Sequence, residues 1–572
     1  MLFSTLAEVV SLGAVLPFLA VLTAPERALK YRLVAKAAHA FGIQSAAQLV
    51  LPLAIVFAVI AILAGAIRMA QLWASMRFTT TTGSEISVEV YRRTLYQPYS
   101  VHVARSSDDV LSGITQKVGT VVLGVMLPLM TLLNSGMLLV ALLGALLVID
   151  PAVALIAAAG FGGSYALITL LTRRRLRLNS RRVADQYTRV IKVLQEGLGG
   201  IRDVILDGTQ GVFCDIYRGA DLIFRQAQGE NVFISQCPRY VMEALGLVII
   251  AALAVALSHR PGGLTAALPV LGALAIGAQR LMPALQQAYA SWATIAGSHA
   301  SLADTIALLD QPLPAALLLA PPPPLSLLKS IQFESVRFRY GSGGPWVLDG
   351  ITLNIPRGAR VGIVGSTGSG KSTLLDLMMA LLLPTEGEVL VDGQPLRGER
   401  IRAWQQVIAH VPQSIYLADS TVAGNIAFGV PPHRIDMERV RLAARRAQIA
   451  EFIESGTAGY DARVGERGIR LSGGQRQRIG IARALYKHAH VLVLDEATSA
   501  LDNATESSVM EAIESLDRDL TILLIAHRLS TVQRCDTIIE LKQGRLVAQG
   551  RYEQLLESSQ SFQRLANTVK TA

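Results

Sequence analysis

The stretch Gly365-Ser-Thr-Gly-Ser-Gly-Lys-Ser-Thr373 constrains the fold of this chain more than any other. It follows an apolar run, Val361 to Val364, and leads into another, Leu374 to Leu383. That order predicts strand, glycine loop and helix, with the G-x-x-x-x-G-K-[ST] spacing of a phosphate-binding loop. The glycines let backbone N–H groups turn inward around phosphate oxygens, and the helix N-terminus behind them adds positive potential. Gly365, Ser366, Gly368, Ser369, Gly370, Lys371, Ser372 and Thr373 are therefore candidate nucleotide-binding residues. Lys371 would reach the β- and γ-phosphates, and the Ser372 hydroxyl would ligate Mg²⁺. A Gly/Ser-rich turn without a ligand is the plain alternative; the full spacing and the correct flanks argue against it.

What such a site drives depends on the rest of the chain. At 572 residues there is room for several domains. The hydrophobic fraction is 51% and the mean hydropathy +0.41. Apolar residues concentrate in the first half, which indicates a membrane domain rather than a large soluble core. Net charge is +10, and the arginines cluster beside apolar spans. The positive-inside rule explains that pattern, so no nucleic-acid partner is expected. Cys214, Cys237 and Cys535 are far apart and suggest neither a disulfide framework nor a zinc site. The apolar opening lacks a basic n-region and reads as a first transmembrane helix, not a cleaved signal peptide. With no basic lead before it, that opening reads as a truncated or unusually late start.

Six spans are expected: 1–22, 49–73, 119–149, 152–172, one within 238–258, and one from about Leu264 towards Asp304. Residues 25–41 place Leu29, Leu33, Ala37 and Phe41 at i+4 steps with basic residues off that line. They read as an amphipathic helix on a membrane face, or equally as a basic loop helix. The polar helical stretch after the second span breaks at Gln97-Pro98, Asp150-Pro151 is a tight turn, and 259–263 is a short loop. A dense run, Arg173, Arg174, Arg175, Arg177, Arg181 and Arg182, follows the fourth span. Alternating the loops puts 74–118 and 173–237 on the basic, cytoplasmic face, while the basic 23–48 loop outside strains the rule. Pro321 to Pro324 favour an extended spacer. The expected organisation is an all-α transmembrane domain over 1–310, a linker over 311–328, and an α/β nucleotide-binding domain over 329–572. In the last of these, Ile331 to Tyr340 alternates as a strand, and Val491-Leu-Val-Leu-Asp495-Glu496 is an apolar strand ending in two carboxylates. Asp495 would serve Mg²⁺ and Glu496 would polarise an attacking water.

Leu471-Ser-Gly-Gly-Gln475 resembles the signature of ATP-binding cassette proteins, and the family's other landmarks also have matches. Tyr340 resembles the aromatic that stacks on adenine. Gln413 resembles the glutamine that senses Mg²⁺ and the membrane domain. Glu466 resembles the exporter X-loop acid, Ser499-Ala-Leu-Asp502 the D-loop, and His527 the switch histidine on the γ-phosphate. The resemblance covers roughly residues 330–550. It implies ATP and Mg²⁺ as ligands, with Ser472, Gly473, Gly474, Gln475 and Asp502 acting on ATP bound by a second cassette. One chain carries one cassette, so a homodimer is implied, with a separately encoded partner as the alternative. Six spans before one cassette resemble the exporter type, whose coupling helices would fall around 98–108 and 206–215.

The membrane half bears on substrate. The 25–41 helix and Glu196-Gly-Leu-Gly-Gly-Ile-Arg-Asp-Val204 resemble bacterial lipid-linked oligosaccharide flippases of the PglK-like kind. Arg68, Arg239 and Arg280 lie roughly 16–19 residues, about 24–29 Å, from the outer ends of their spans. Three arginines at one depth could hold a pyrophosphate, or Arg68 and Arg239 could snorkel to lipid phosphates. Glu8 and Glu243 read as helix–helix polar partners. The resulting expectation is a flippase for a polyprenyl-pyrophosphate glycan in a bacterial inner membrane, the cassette lying in the cytoplasm. A general lipid or drug exporter is the near alternative and a non-transporting cassette ATPase the distant one.

Overall fold

The computed structural model describes residues 2–8, 10, 50–149, 151, 155, 158–258, 281–314, 319–341, 343–496, 503–514, 519–525 and 532–564. The expected 25–41 helix, Asp150 of the expected turn, the 259–263 loop and most of the first span lie outside them. The chain divides into two compact units: Met1–Gln97 with Val101–Leu313, and Pro98–Ser100 with Pro314–Ala572.

The first unit is helical. Its helices α1 (Val50–Leu95), α2 (Leu127–Ile149), α3 (Gly163–Gly199), α4 (Gln210–Ser258) and α5 (His299–Leu309) account for most of its described length. α1 has 46 residues and α4 has 49. A bilayer core needs only about 20 residues of helix, so each continues well beyond one. Among the described residues, Ala54–Leu95 and Ser107–Gly144 are long and apolar enough to cross a membrane. α1 stops before Gln97-Pro98, because proline offers no N–H and disfavours a helical residue before it. A short helix, Tyr99–Ala104, follows. At the end of α1, the Arg93 guanidinium donates to the carbonyls of Leu309 and Gln311, the latter at 3.1 Å. Gln97 Nε2 donates to the Pro312 carbonyl at 3.0 Å. Pro238 lies inside α4 without ending it, so the expected fifth span is the second half of a longer helix.

The second unit is built on two sheets. β1 (Ser330–Phe338), β2 (Leu348–Pro356), β4 (Glu386–Val391) and β5 (Gln394–Pro395) form an antiparallel sheet in the order β2-β1-β4-β5. β3 (Arg360–Val364), β6 (Ile408–Val411), β7 (Val491–Asp495), β8 (Thr521–Ile525), β9 (Thr537–Lys542) and β10 (Arg545–Gly550) form the other, in the order β10-β9-β3-β8-β7-β6. β9, β3, β8, β7 and β6 run parallel, and β10 is antiparallel to β9. Side chains alternate along these strands. Val361, Ile363, Val491 and Val493 join the core shared with β1 and β2, while Leu492, Leu494, Ile522 and Leu524 join the core under the helices. A parallel sheet covered on both faces reads as the continuous apolar runs seen here. The expected fold class therefore holds, and the antiparallel sheet refines it.

Candidate nucleotide site

The loop after β3 leaves the carboxyl edge of the parallel sheet and enters α6 (Lys371–Met378). α6 is anchored by Leu374, Leu375, Leu377 and Met378, all buried. Gly365 has φ 153° and Gly370 φ 99°. A Cβ on Gly365 would run into the Leu541 carbonyl oxygen and stand 2.7 Å from Ser369 Oγ. The cradle therefore needs glycine for space as well as for backbone angle. Ser369 Oγ is buried and has no hydrogen-bond partner among the described residues. Lys371 Nζ donates to the Gly365 carbonyl at 2.8 Å and the Ser366 carbonyl at 3.1 Å, so it folds over its own loop. Burial lowers the Lys371 ammonium below its ordinary pKa, and the Glu496 and Asp495 carboxylates oppose that shift. A buried cation, a glycine cradle and an orphaned hydroxyl at a helix start fit a polyphosphate ligand.

β7 delivers the acids. Asp495 stands level with Ile525 of β8, and Ile525 with Ile363 of β3. The end of β7 thus reaches the same crevice at the carboxyl ends of the strands, the usual ligand position in such sheets. Glu496 follows with φ 50°, uncommon for a residue with a Cβ. Its backbone N–H donates to the Ile525 carbonyl at 3.2 Å. Gln413 Nε2 donates to Glu496 Oε2 at 2.7 Å, joining residues 83 apart in sequence. Tyr340 is half exposed, its ring set edge-on to Phe338 at 4.9 Å and its hydroxyl 3.3 Å from Thr373 Oγ1. Asp376, one turn into α6, is pushed up to about 6 by burial and then by Asp495.

Ser472 caps α7 (Gly473–Tyr486). Its Oγ accepts from Gln475 N at 3.2 Å, and its own N–H donates to Gln475 Oε1 at 2.8 Å. This reciprocal capping box fixes the Ser472-Gly473-Gly474-Gln475 turn at a second helix N-terminus. Glu466 begins a single helical turn, Glu466–Gly468, ahead of it. Asp502 and His527 lie outside the described residues; His527 follows in sequence just after β8.

Sequence reasoning missed a polar tie behind the Gln413 loop. Asn425 is fully buried, and its side chain pairs with both backbone groups of Ala418. Arg483, from α7, donates to the Asn425 and Tyr416 carbonyls at 2.9 and 3.0 Å and lies over Phe428. Burial lowers the Arg483 pKa. Residues so far apart carry no local signal of this contact.

In the first unit, Arg68 and Arg239 line one cavity of about 760 Å³. Its wall carries the amides Gln71, Asn134, Gln236, Gln286 and Gln287 beside Leu72, Leu127, Met130 and Leu138. Asn134 Oδ1 is buried without a hydrogen-bond partner among the described residues. Arg68 pairs with Glu8 at 3.8 Å and Arg239 with Glu243 at 2.9 Å. Arg280 lies outside the described residues.

A family profile described as "ABC transporter" matches residues 348–499, and one described as "ABC transporter transmembrane region" matches 6–265. An ATP-dependent lipid A-core flippase of Chromohalobacter salexigens is 35% identical over 475 residues, 83% of this chain and 81% of that protein. One from Alkalilimnicola ehrlichii is 33% identical, covering 70% of this chain and 67% of its own length. The heterocyst differentiation ATP-binding protein HepA of Nostoc is 44% identical over 40% of this chain and 38% of that protein. A solved bacterial Atm1-family ABC exporter with ATP bound has TM-score 0.79 and 24% identity, covering 98% of this chain and 97% of that one. It shares the fold.

Proposed function

This chain belongs to the ATP-binding cassette transporter family, as an exporter half-transporter that couples ATP hydrolysis to transport, and from that premise we propose that it flips a phosphate-bearing glycolipid from the inner to the outer leaflet of a bacterial inner membrane. The observation that carries the substrate class is the polar cavity. Amides, hydroxyls and two arginines inside a membrane domain suit a hydrated sugar-phosphate headgroup better than an apolar drug. The relatives named as lipid A-core flippases, matched over 81% and 67% of their length, support a lipid cargo. Residues 25–41 and 196–204 favour the polyprenyl-pyrophosphate glycan of lipid-linked oligosaccharide flippases within that class. Arg68 and Arg239 each sit beside a carboxylate, and the remaining guanidinium N–H groups are left to hold a phosphate.

The proposed ATP chemistry follows from the cassette. The 365–373 loop and Lys371 hold the phosphates, and Tyr340 stacks on the adenine. Ser372, Gln413 and Asp495 would hold Mg²⁺, which when bound neutralises charge on the β- and γ-phosphates. Glu496 orients and polarises water, and its hydrogen bond to Gln413 links the base to the sensing loop. His527 contacts the γ-phosphate. Ser472, Gly473, Gly474, Gln475 and Asp502 of a second copy complete the site, making the working unit a homodimer with transmembrane domains over 1–310, linkers over 311–328 and cytoplasmic cassettes over 329–572. ATP closes that dimer and shifts the membrane domains outward, because it binds the closed state better.

ATP turnover in lipid nanodiscs tests the cargo. Turnover should rise with a lipid-linked pyrophosphate glycan and fall back with Arg68→Gln or Arg239→Gln. Stimulation by lipid A-core alone would move the cargo within the glycolipid class; stimulation only by apolar drugs would remove it from that class.

A further inference from the structure

Outside the nucleotide site and the polar cavity, four arginines of the first unit gather in one place. α3 carries Arg173, Arg174, Arg177 and Arg181 directly after its apolar stretch. The spacing i, i+1, i+4, i+8 puts them on one helix face. With His299 at the start of α5, they line a groove of about 720 Å³. A neighbouring recess of about 280 Å³ shares Arg173, Arg177 and His299 and adds Trp292, Ile295 and Leu302. None of the four arginines has a carboxylate partner among the described residues, whereas Arg175 is paired with Glu230 at 3.2 Å.

The groove walls are fixed. Ser180 Oγ, on α3, accepts from Ala300 N of α5 at 2.8 Å. Thr172 Oγ1 and Tyr289 Oη lie 3.2 Å apart, and the Tyr289 ring packs on Trp292 at 5.7 Å. Just ahead of the arginines, Leu167, Leu170 and Leu171 are 58%, 71% and 72% exposed. Leu170 lines both recesses with Arg173 and Arg177, and Trp292 lines the smaller one, so apolar and basic side chains meet on one surface as at the boundary between acyl chains and headgroups.

We propose that this groove binds an acidic phospholipid of the cytoplasmic leaflet, its phosphate on Arg173 and Arg177 and its acyl chains along the leucines. Arginine forks match phosphate oxygens bidentately, and basic pockets between transmembrane helices on the cytoplasmic side suit anionic headgroups. A free phosphate would have no use for the leucines, and a zwitterionic lipid brings no net negative charge to the four arginines. The site is separate from the transport cavity and does not depend on which lipid is flipped.

The test uses the full chain in phosphatidylcholine nanodiscs doped with photoactivatable phosphatidylglycerol. Label should fall on 167–181 and 292–302, exceed that from photoactivatable phosphatidylcholine, and drop on the order of tenfold in Arg173→Gln/Arg177→Gln. Arg218→Gln, at an exposed pair with Asp215, should leave it unchanged. Equal labelling by the two lipids would overturn the proposal, as would full labelling of the double variant. So would loss of label to millimolar inorganic phosphate, or a cross-link from 167–178 to a second copy in place of lipid. If the double variant does not fold, the wild-type preference between the two lipids decides alone.

Discussion

The proposed chemistry of the cassette concentrates at one residue, Glu496. It stands at φ 50° after a buried strand, and Gln413 holds one of its oxygens. Glu496→Gln keeps the shape and removes the basic oxygen. Measured turnover should fall by about 10²–10⁴ while ATP binding persists; ordinary turnover would show that the base lies elsewhere. Asp376 gives a second residue-scale prediction. Its carboxyl is raised to about 6 from 3.8 by burial and Asp495. The folded state therefore holds a proton that the unfolded state releases, and stability falls as pH rises from about 4 through 6. Asp376→Asn should raise the melting temperature above pH 6 and lose that advantage below about pH 4. The shift corresponds to at most about 3 kcal/mol, reduced because the side chain is partly exposed. A variant advantage that grows on acidification would contradict the assignment. Other residues were less legible in the sequence. Glu243 is expected to bridge helices, but it pairs with Arg239 four residues earlier on its own helix, because i,i+4 side chains face each other. Arg68 and Glu8 are on different helices, and only the fold brings them to 3.8 Å.

Elements were legible where the signal is local. The apolar run, glycine loop and helix of 361–378 carry their own punctuation, and so does the break at Gln97-Pro98. The antiparallel sheet was read only as one strand, because its pairing depends on irregular registers between Phe333 and Phe338 and on partners far along the chain. The start of α7 has two roles that substitution can separate. Ser472 is an N-cap in the fold and a proposed anion contact in function. Ser472→Ala should cost about 1 kcal/mol of cassette stability and weaken turnover. Ser472→Asp keeps the cap but sets a carboxylate against the γ-phosphate, so thermal melting should be preserved while turnover is lost. Retained turnover in the Asp variant would remove Ser472 from the nucleotide site.

At the scale of the whole molecule, the long helices and the cassette were foreseeable, since hydropathy marks spans and glycine spacing marks the phosphate loop. The partner was foreseeable only by resemblance, because no residue of the signature says which phosphate it caps. Mixing chains tests the composite site. Lys371→Ala and Ser472→Asp homodimers should each be inactive. A mixed dimer would keep one intact site, with Lys371 from one chain and Ser472 from the other. Measurable turnover on mixing is expected; none, with mixed dimers shown to form, would contradict sites shared between copies. The central claim is tested most directly by translocation of a fluorescent polyprenyl-pyrophosphate glycan in proteoliposomes, with ATP, without it, and with Glu496→Gln. The account predicts ATP-dependent flipping that the variant loses. Intact ATP turnover with no movement of that lipid, or of a lipid A-core lipid run in parallel, would contradict it.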